Sequence, residues 1–383
     1  MAPTALLLAA GHEARSLAVG GLLGAGYLVA YAAGQPMLGR LADRIGQVIP
    51  LLAGASLAAW SLSALAVFGT GNLPLALSLT IVAGLFNPPL EAGLRTLWPT
   101  LLPGPDAVRA RYLSAAYALD NGSQEAVYVV GPLLASALAA ISPAAALLGT
   151  GALGLAGALS VAISRPARAW TPAAPEVRHW LGPLKSRGIR ALLTMMFCVG
   201  TAVGAVPVYA VAVAEHTGAM WLKGVLPAML SLGGLLGGLL YGARSWPGTR
   251  LQHMTWLAFG FYAAWLPLLV VSTPTASALL IVLPGFCFSV LLCVACLMMS
   301  SIVPPGTGTE AFGWLIGFLN IGLALGSALA GMTGGSYAVA MLAAAATALV
   351  LLTTRTVLTG TTKGHAPTEH VPSASAVCPD PTR

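Results

Sequence analysis

The chain has 383 residues, 57% of them apolar and only 8% charged, with a mean hydropathy of +0.84. A soluble domain carries about 25% charged residues, so composition excludes a soluble globular fold, and the lack of polar/apolar alternation excludes a porin-type barrel. The net charge of +7 does not read as nucleic-acid binding, because the basic residues sit in short gaps between apolar runs. What remains is an all-α polytopic membrane protein, since a helix satisfies its own backbone in lipid. The excess of Arg over Lys, with abundant Ala, Gly, Leu and Pro, fits a GC-rich bacterial genome.

A crossing needs about 20 apolar residues. Pro3 to Ala10 is apolar but too short to cross, and it is read as the outer end of a first helix in a chain that starts late. Residues 17–38 make the first full span. The uncharged run 45–90 holds two, divided near Gly69-Thr70-Gly71-Asn72-Leu73-Pro74. Residues 112–139, 143–163, 190–213 and 221–242 make four more. The uncharged run 251–309 splits at Ser272-Thr273-Pro274, and 310–333 and 336–357 complete eleven full spans.

Between the first two full spans lies Gly39-Arg40-Leu41-Ala42-Asp43-Arg44-Ile45-Gly46-Gln47, a charged turn that must sit at a bilayer surface because charge is costly in hydrocarbon. With this turn on the cytoplasmic side, sixteen Arg and Lys fall in cytoplasmic gaps, Arg95, Arg109 and Arg111 among them, and only Arg15 and Lys223 fall outside. That asymmetry is the positive-inside pattern and places the chain in the cell membrane, multi-pass, with a cytoplasmic C-terminus. Residues 164–188, rich in Pro and Arg, form the longest internal gap, a cytoplasmic linker between residues 1–163 and 189–358. Residues 359–383, rich in Pro, Thr and Ser, have the composition of a disordered tail.

The stretch G-x-L-A-D-R-x-G resembles the signature loop of the major facilitator superfamily, which joins the second and third transmembrane helices of those transporters. That resemblance implies two six-helix bundles, here with a partial first helix, and secondary active transport by alternating access. It also implies that Asp43 approaches the N-terminus of a helix in the other half, the eleventh, and that Arg40 and Arg44 pair with carboxylates when the cytoplasmic side is closed. Gly39 and Gly46 would permit close approach and a tight turn. Gln47-Val48 stands where the family often has two basic residues. A repeat fits the plan: a shift of 195 residues lays Tyr117 on Phe312, Gly122 on Gly317 and Gly131 on Gly326. Gly242-Ala243-Arg244-Ser245-Trp246-Pro247-Gly248 is a degenerate second loop without the Asp. Gly131-Pro132 resembles the core of the antiporter motif, although the surrounding Gly pattern differs. Helix 4 lacks the mid-membrane Arg that many proton-coupled members carry.

One span is interrupted by acids. Tyr117, Asp120, Asn121, Gln124 and Tyr128 recur at helical spacing along one face, with Glu125 flanking them. Counted from Arg111 at about 1.5 Å per residue, Asp120 is about 13 Å and Glu125 about 21 Å into the membrane. Carboxylates at such depth face water, a partner or a proton, so this stripe is the expected site for substrate or protons, with Asn320 of the repeat opposite. The alternative is a hydrogen-bond network that fixes packing. Glu91, Arg95 and Glu310 are assigned to the cytoplasmic gate, although Glu91 and Arg95 also form a plain i, i+4 pair and Glu310 suits a helix N-terminus.

No nucleotide loop, metal-ligand pair or nucleophile elbow occurs, and all six His lie at surfaces or in the tail, so the chain is expected to be neither enzyme nor metal or cofactor binder. Cys293-x-x-Cys296 lacks a second pair and reads as buried apolar packing. The expected function is proton-coupled efflux of a small drug-like compound or metabolite by a monomer in the bilayer. Uptake of a small solute, or a non-transporting truncated relic, are the alternatives.

Overall fold

The computed structural model describes residues 1–12, 17–102, 105–170, 182–244, 246–271 and 273–363. Arg15, Arg178 and residues 364–383 lie outside the described residues. Twelve helices carry the fold: α1 (Ala2–His12), α2 (Leu17–Ile45), α3 (Val48–Phe68), α4 (Leu73–Leu101), α5 (Asp106–Ile141) and α6 (Pro143–Ala162), then α7 (Arg187–Thr217), α8 (Leu222–Ala243), α9 (Arg250–Val270), α10 (Pro274–Ile302), α11 (Gly308–Met332) and α12 (Ala338–Lys363). Among the described residues, ten helices are long and apolar enough to cross a membrane. Beside them α2 runs for 29 residues and packs on α3, α4 and α11. The 11 residues of α1 reach only about 16 Å at 1.5 Å per residue. It is buried through Ala5, Leu6 and Ala10 against α2, α5 and α6.

Helix starts follow from local chemistry. Asn72, Ser142 and Ser186 accept the exposed N–H groups of Leu75, Ala145 and Ile189, and Thr249 forms a reciprocal capping box with Gln252. Interruptions fall next to prolines, which cannot donate to the helical ladder: α4 unwinds between Leu85 and Leu90 at Asn87-Pro88-Pro89, α7 at Ala205, α9 at Leu266 and α10 at Ile281. The first of these shifts a boundary. The uncharged run ends at residue 90, but α4 restarts there and continues to Leu101, which carries Glu91 and Arg95 into the membrane span instead of leaving them in a gap.

The two bundles meet along two seams, α2 with α11 and α5 with α8. Both are built on small residues, which let backbones approach in lipid. A Cβ on Gly39 would stand 2.6 Å from the Thr309 carbonyl oxygen, one on Gly313 2.7 Å from that of Gln35, and one on Gly317 2.8 Å from that of Ala32. Gly238 lies the same way against Ala118 of α5. Tyr117 and Phe312, equivalent in the internal repeat, meet with ring centroids 6.1 Å apart.

Within the second bundle the same device is tighter. A Cβ on Gly326 would overlap the Thr201 carbonyl of α7, whereas one on Gly331 would meet nothing. Gly326→Ala should therefore lower the stability of the detergent-purified protein by about 1–3 kcal/mol, the usual cost of overpacking, while Gly331→Ala leaves it unchanged. Thermal unfolding of the two variants side by side checks this.

Candidate transport site and gate

At the loop-side end of the α2–α11 seam, the charged turn and the start of α11 form one interlocked unit. The Asp43 carboxylate accepts the N–H of Thr309 at 3.0 Å and that of Glu310 at 2.8 Å. These are first-turn amides with no partner inside the helix, at its positive end. Arg40 holds the Glu310 side chain with both forks, Nε to Oε2 at 3.0 Å and Nη2 to Oε1 at 2.5 Å. Trp314 Nε1 donates to Glu310 at 3.4 Å, and Gly182, in a turn just before α7, lies over the same carboxylate. Gly39 fits because any side chain would strike Thr309. Gly46 is different: nothing crowds it, but its φ of +97° is one that L side chains rarely adopt. Gln47, at a position where a basic residue could stand, is buried and donates to the Gly93 carbonyl at 3.3 Å, tying the turn to α4. Arg44 is exposed and forms no ion pair with a described residue.

Among the described ion pairs, Arg95 and Glu91, assigned from sequence to this gate, form none with Arg40 or Arg44; Arg95 instead pairs with α5. Arg95 is 1% exposed, and its Nε donates to Asp120 Oδ2 at 2.6 Å while Nη2 donates to Asn121 Oδ1 at 3.0 Å. Glu91 is the looser partner at 3.8 Å, beyond hydrogen-bond distance. Tyr117, fully buried, donates its hydroxyl to the Arg95 carbonyl at 3.0 Å. Because α4 continues to Leu101, the Arg95 guanidinium is carried against α5 and, being buried, is matched by a carboxylate there. The span thus does contain an arginine. The Glu91-x-x-x-Arg95 spacing after a proline pair, a favourable helix start, was the available signal.

Above this cluster is a cavity of about 20 Å³, lined on one side by Glu91, Arg95, Asn121, Gln124, Glu125 and Tyr128 and on the other mainly by Phe288, Leu292 and Leu315. That is room for about one water molecule. Asn320 also lines it, with its Nδ2 donating to Ile316 O at 2.8 Å. Of the sequence-derived stripe, then, Asn121, Gln124, Glu125, Tyr128 and Asn320 come together here, while Tyr117 and Asp120 stand behind as supports of Arg95. Glu125 is 7% exposed, faces Ser231 and packs against Gly234 of α8, so it sits in the seam between the bundles. Gly131 of the Gly131-Pro132 pair contacts Met1 of α1, away from the cavity. A larger cavity, about 540 Å³, lies on the loop side among Thr96, Pro99, Trp170, Pro304 and Phe312. Among the described residues its only ionisable lining group is Asp43, already held by α11.

Two helical bundles joined through paired seams, with polar groups converging between them in the membrane, define a membrane transporter. The comparisons agree. A family model described as Major Facilitator Superfamily matches residues 1–293, and the chain belongs to that family. Among solved structures, the human organic anion transporter MFSD10 (TETRAN) is similar with a TM-score of 0.66 at 16% identity, over 88% of this chain and 83% of that one. A bacterial homologue of the iron transporter ferroportin in an outward-facing state gives 0.65 at 15%, over 94% and 98%. The transporter FucP in the outward conformation gives 0.60 at 14%, over 93% and 97%. These likenesses concern the fold. No curated protein matches the sequence.

Removing one partner of a buried ion pair costs about 3–5 kcal/mol, because the other charge is left uncompensated. Asp120→Asn should therefore melt far below the parent protein, while the double change Arg95→Met with Asp120→Leu recovers most of the loss in a thermal double-mutant cycle. At the lock, Glu310→Ala removes the carboxylate that Arg40 holds. In a background with all five cysteines replaced by serine, a Thr96→Cys reporter should then react several-fold faster with a membrane-impermeant maleimide.

Proposed function

We propose that this chain is a proton-coupled secondary transporter that exports a small, largely apolar compound by alternating access. Residues 1–163 and 189–358 are the two rocking halves, joined by the linker 164–188, and the unit works as a monomer in the cell membrane. The observation that carries this reading is Glu125. It is a carboxylic acid at membrane depth, in the seam between the two bundles, with no cation among its described contacts. An ionised carboxylate is costly there, so its charge state and the separation of the bundles are coupled: apart, the seam admits water and the anion; together, it favours the protonated form. Such a residue loads a proton on one side and releases it on the other.

The Asp43–α11 and Arg40–Glu310 contacts act as the loop-side latch in this scheme. They hold the loop side shut in the conformation described here, and the one-water cavity is the substrate site closed around nothing bulky. Apart from Asn320, its wall from α10 and α11 is apolar, with Phe288, Leu292, Leu315, Ile316 and Leu319, which suits a drug-like compound or metabolite better than a sugar. The export direction rests on the Gly131-Pro132 resemblance.

Reconstituted vesicles with an imposed pH gradient test it. Ethidium accumulation driven by the gradient is expected with the parent protein, and Glu125→Gln should abolish it while leaving the melting temperature within about two degrees. Gradient-driven accumulation that survives Glu125→Gln would overturn the assignment of the proton to this residue.

A further inference from the structure

The cavity is not electrically uniform. Its one cation, Arg95, is matched to Asp120 at 2.6 Å and does not bond Glu91. Glu91, with 31% of its side chain exposed, faces Gln124 and is a carboxylate at the cavity wall without a hydrogen-bonded cation. Asn121 adds a second, independent feature. It is 2% exposed, and its Oδ1 is occupied by Arg95 Nη2, which fixes the orientation of the amide. The opposite atom, Nδ2, is a buried donor that finds no protein partner. Seven buried side-chain polar atoms lack a partner among the described residues, and Asn121 Nδ2 is the one among them whose residue lines this cavity. Across the cavity the wall is apolar and aromatic, with Phe288, Leu292 and Leu315.

We propose that Glu91 and the Asn121 amide form a head-group subsite for an amphipathic organic cation that carries a hydrogen-bond acceptor close to its charged nitrogen. Glu91 neutralises the nitrogen, Asn121 Nδ2 donates to the neighbouring oxygen, and the apolar body lies on Phe288 and Leu292. Glu125, on the seam, remains the proton site. The assignment rests on the transport reading above, and it moves Glu91 from the gate to the cargo. Asp120 acts as a positioning residue: it holds the Arg95 guanidinium, whose Nη2 in turn fixes the Asn121 amide.

Equilibrium binding to the full-length protein in detergent, at one pH and without a gradient, tests this with two permanently charged probes. N-ethyl-lidocaine has a carbonyl oxygen beside its quaternary nitrogen; tetraphenylphosphonium has none. Glu91→Gln should weaken both at least tenfold. Asn121→Asp keeps the acceptor for Arg95 but loses the donor, so it should remove the preference for N-ethyl-lidocaine, about fivefold for one hydrogen bond, without weakening tetraphenylphosphonium. Melting temperatures of both variants report folding, and comparison is made at matched folded fraction. Unchanged affinities in Glu91→Gln, an equal loss for both probes in Asn121→Asp, or no binding of either cation to the parent protein would each overturn the subsite. Failure of the proton assignment alone would appear in the vesicle assay and leave these binding ratios intact.

Discussion

Every feature of this molecule answers to the cost of placing charge and unpaired polar groups in a low-dielectric slab. The backbone meets that cost by staying helical, and the side chains meet it by pairing. Arg95 shows the rule at its most demanding. A guanidinium 1% exposed inside the membrane is tolerable only because Asp120, Asn121 and the looser Glu91 surround it. Tyr117 braces the same turn of α4 through its carbonyl and packs on Phe312 across the seam. The ion pair thus joins α4 and α5 within the first bundle and leans on the second. Glu91, Glu125 and the Asn121 amide all line one small cavity.

The contacts between the bundles are of a kind that can be broken and remade. Glycine and alanine seams bury little side-chain surface, so separating them exposes few large apolar groups. The specific energy is held at the loop-side end, where Asp43 meets the α11 N-terminus and Arg40 meets Glu310. These are short, charge-assisted contacts that act only over contact distance. A device of this sort is two-state: the helix terminus either has its anion or has water. Among its described residues, the degenerate loop at 242–248 makes no equivalent link. Its Arg244 lies over Trp246 in its own half, so the latch is one-sided although the scaffold is pseudo-symmetric.

Much of this was legible in one dimension. Hydropathy marks the spans because each one must be apolar along its whole length, and the Gly39–Gln47 turn stands out because nothing nearby is charged. The stripe from Asn121 to Tyr128 follows from helical periodicity alone. What misled was α4. An uncharged run ending at residue 90 looks like the end of a helix, and a proline pair reinforces that impression. The helix instead restarts, because Pro88 and Pro89 lack only donors and a new helix loses nothing at its first turn. Glu91 and Arg95 then belong to the helix, facing α5, rather than to a gap between helices.

Sequence by itself determined the class of protein, the positions of most spans, the charged turn and the polar face of α5, since all of these depend on composition and on spacing within one helix. Only the tertiary structure decided which charges meet. Asp120 is matched to Arg95 across 25 positions in the chain, and Asp43 to the start of α11 across 266. Such partners are chosen by helix packing, and in a membrane the choice separates a carboxylate that is neutralised for structure from one that is left to bind.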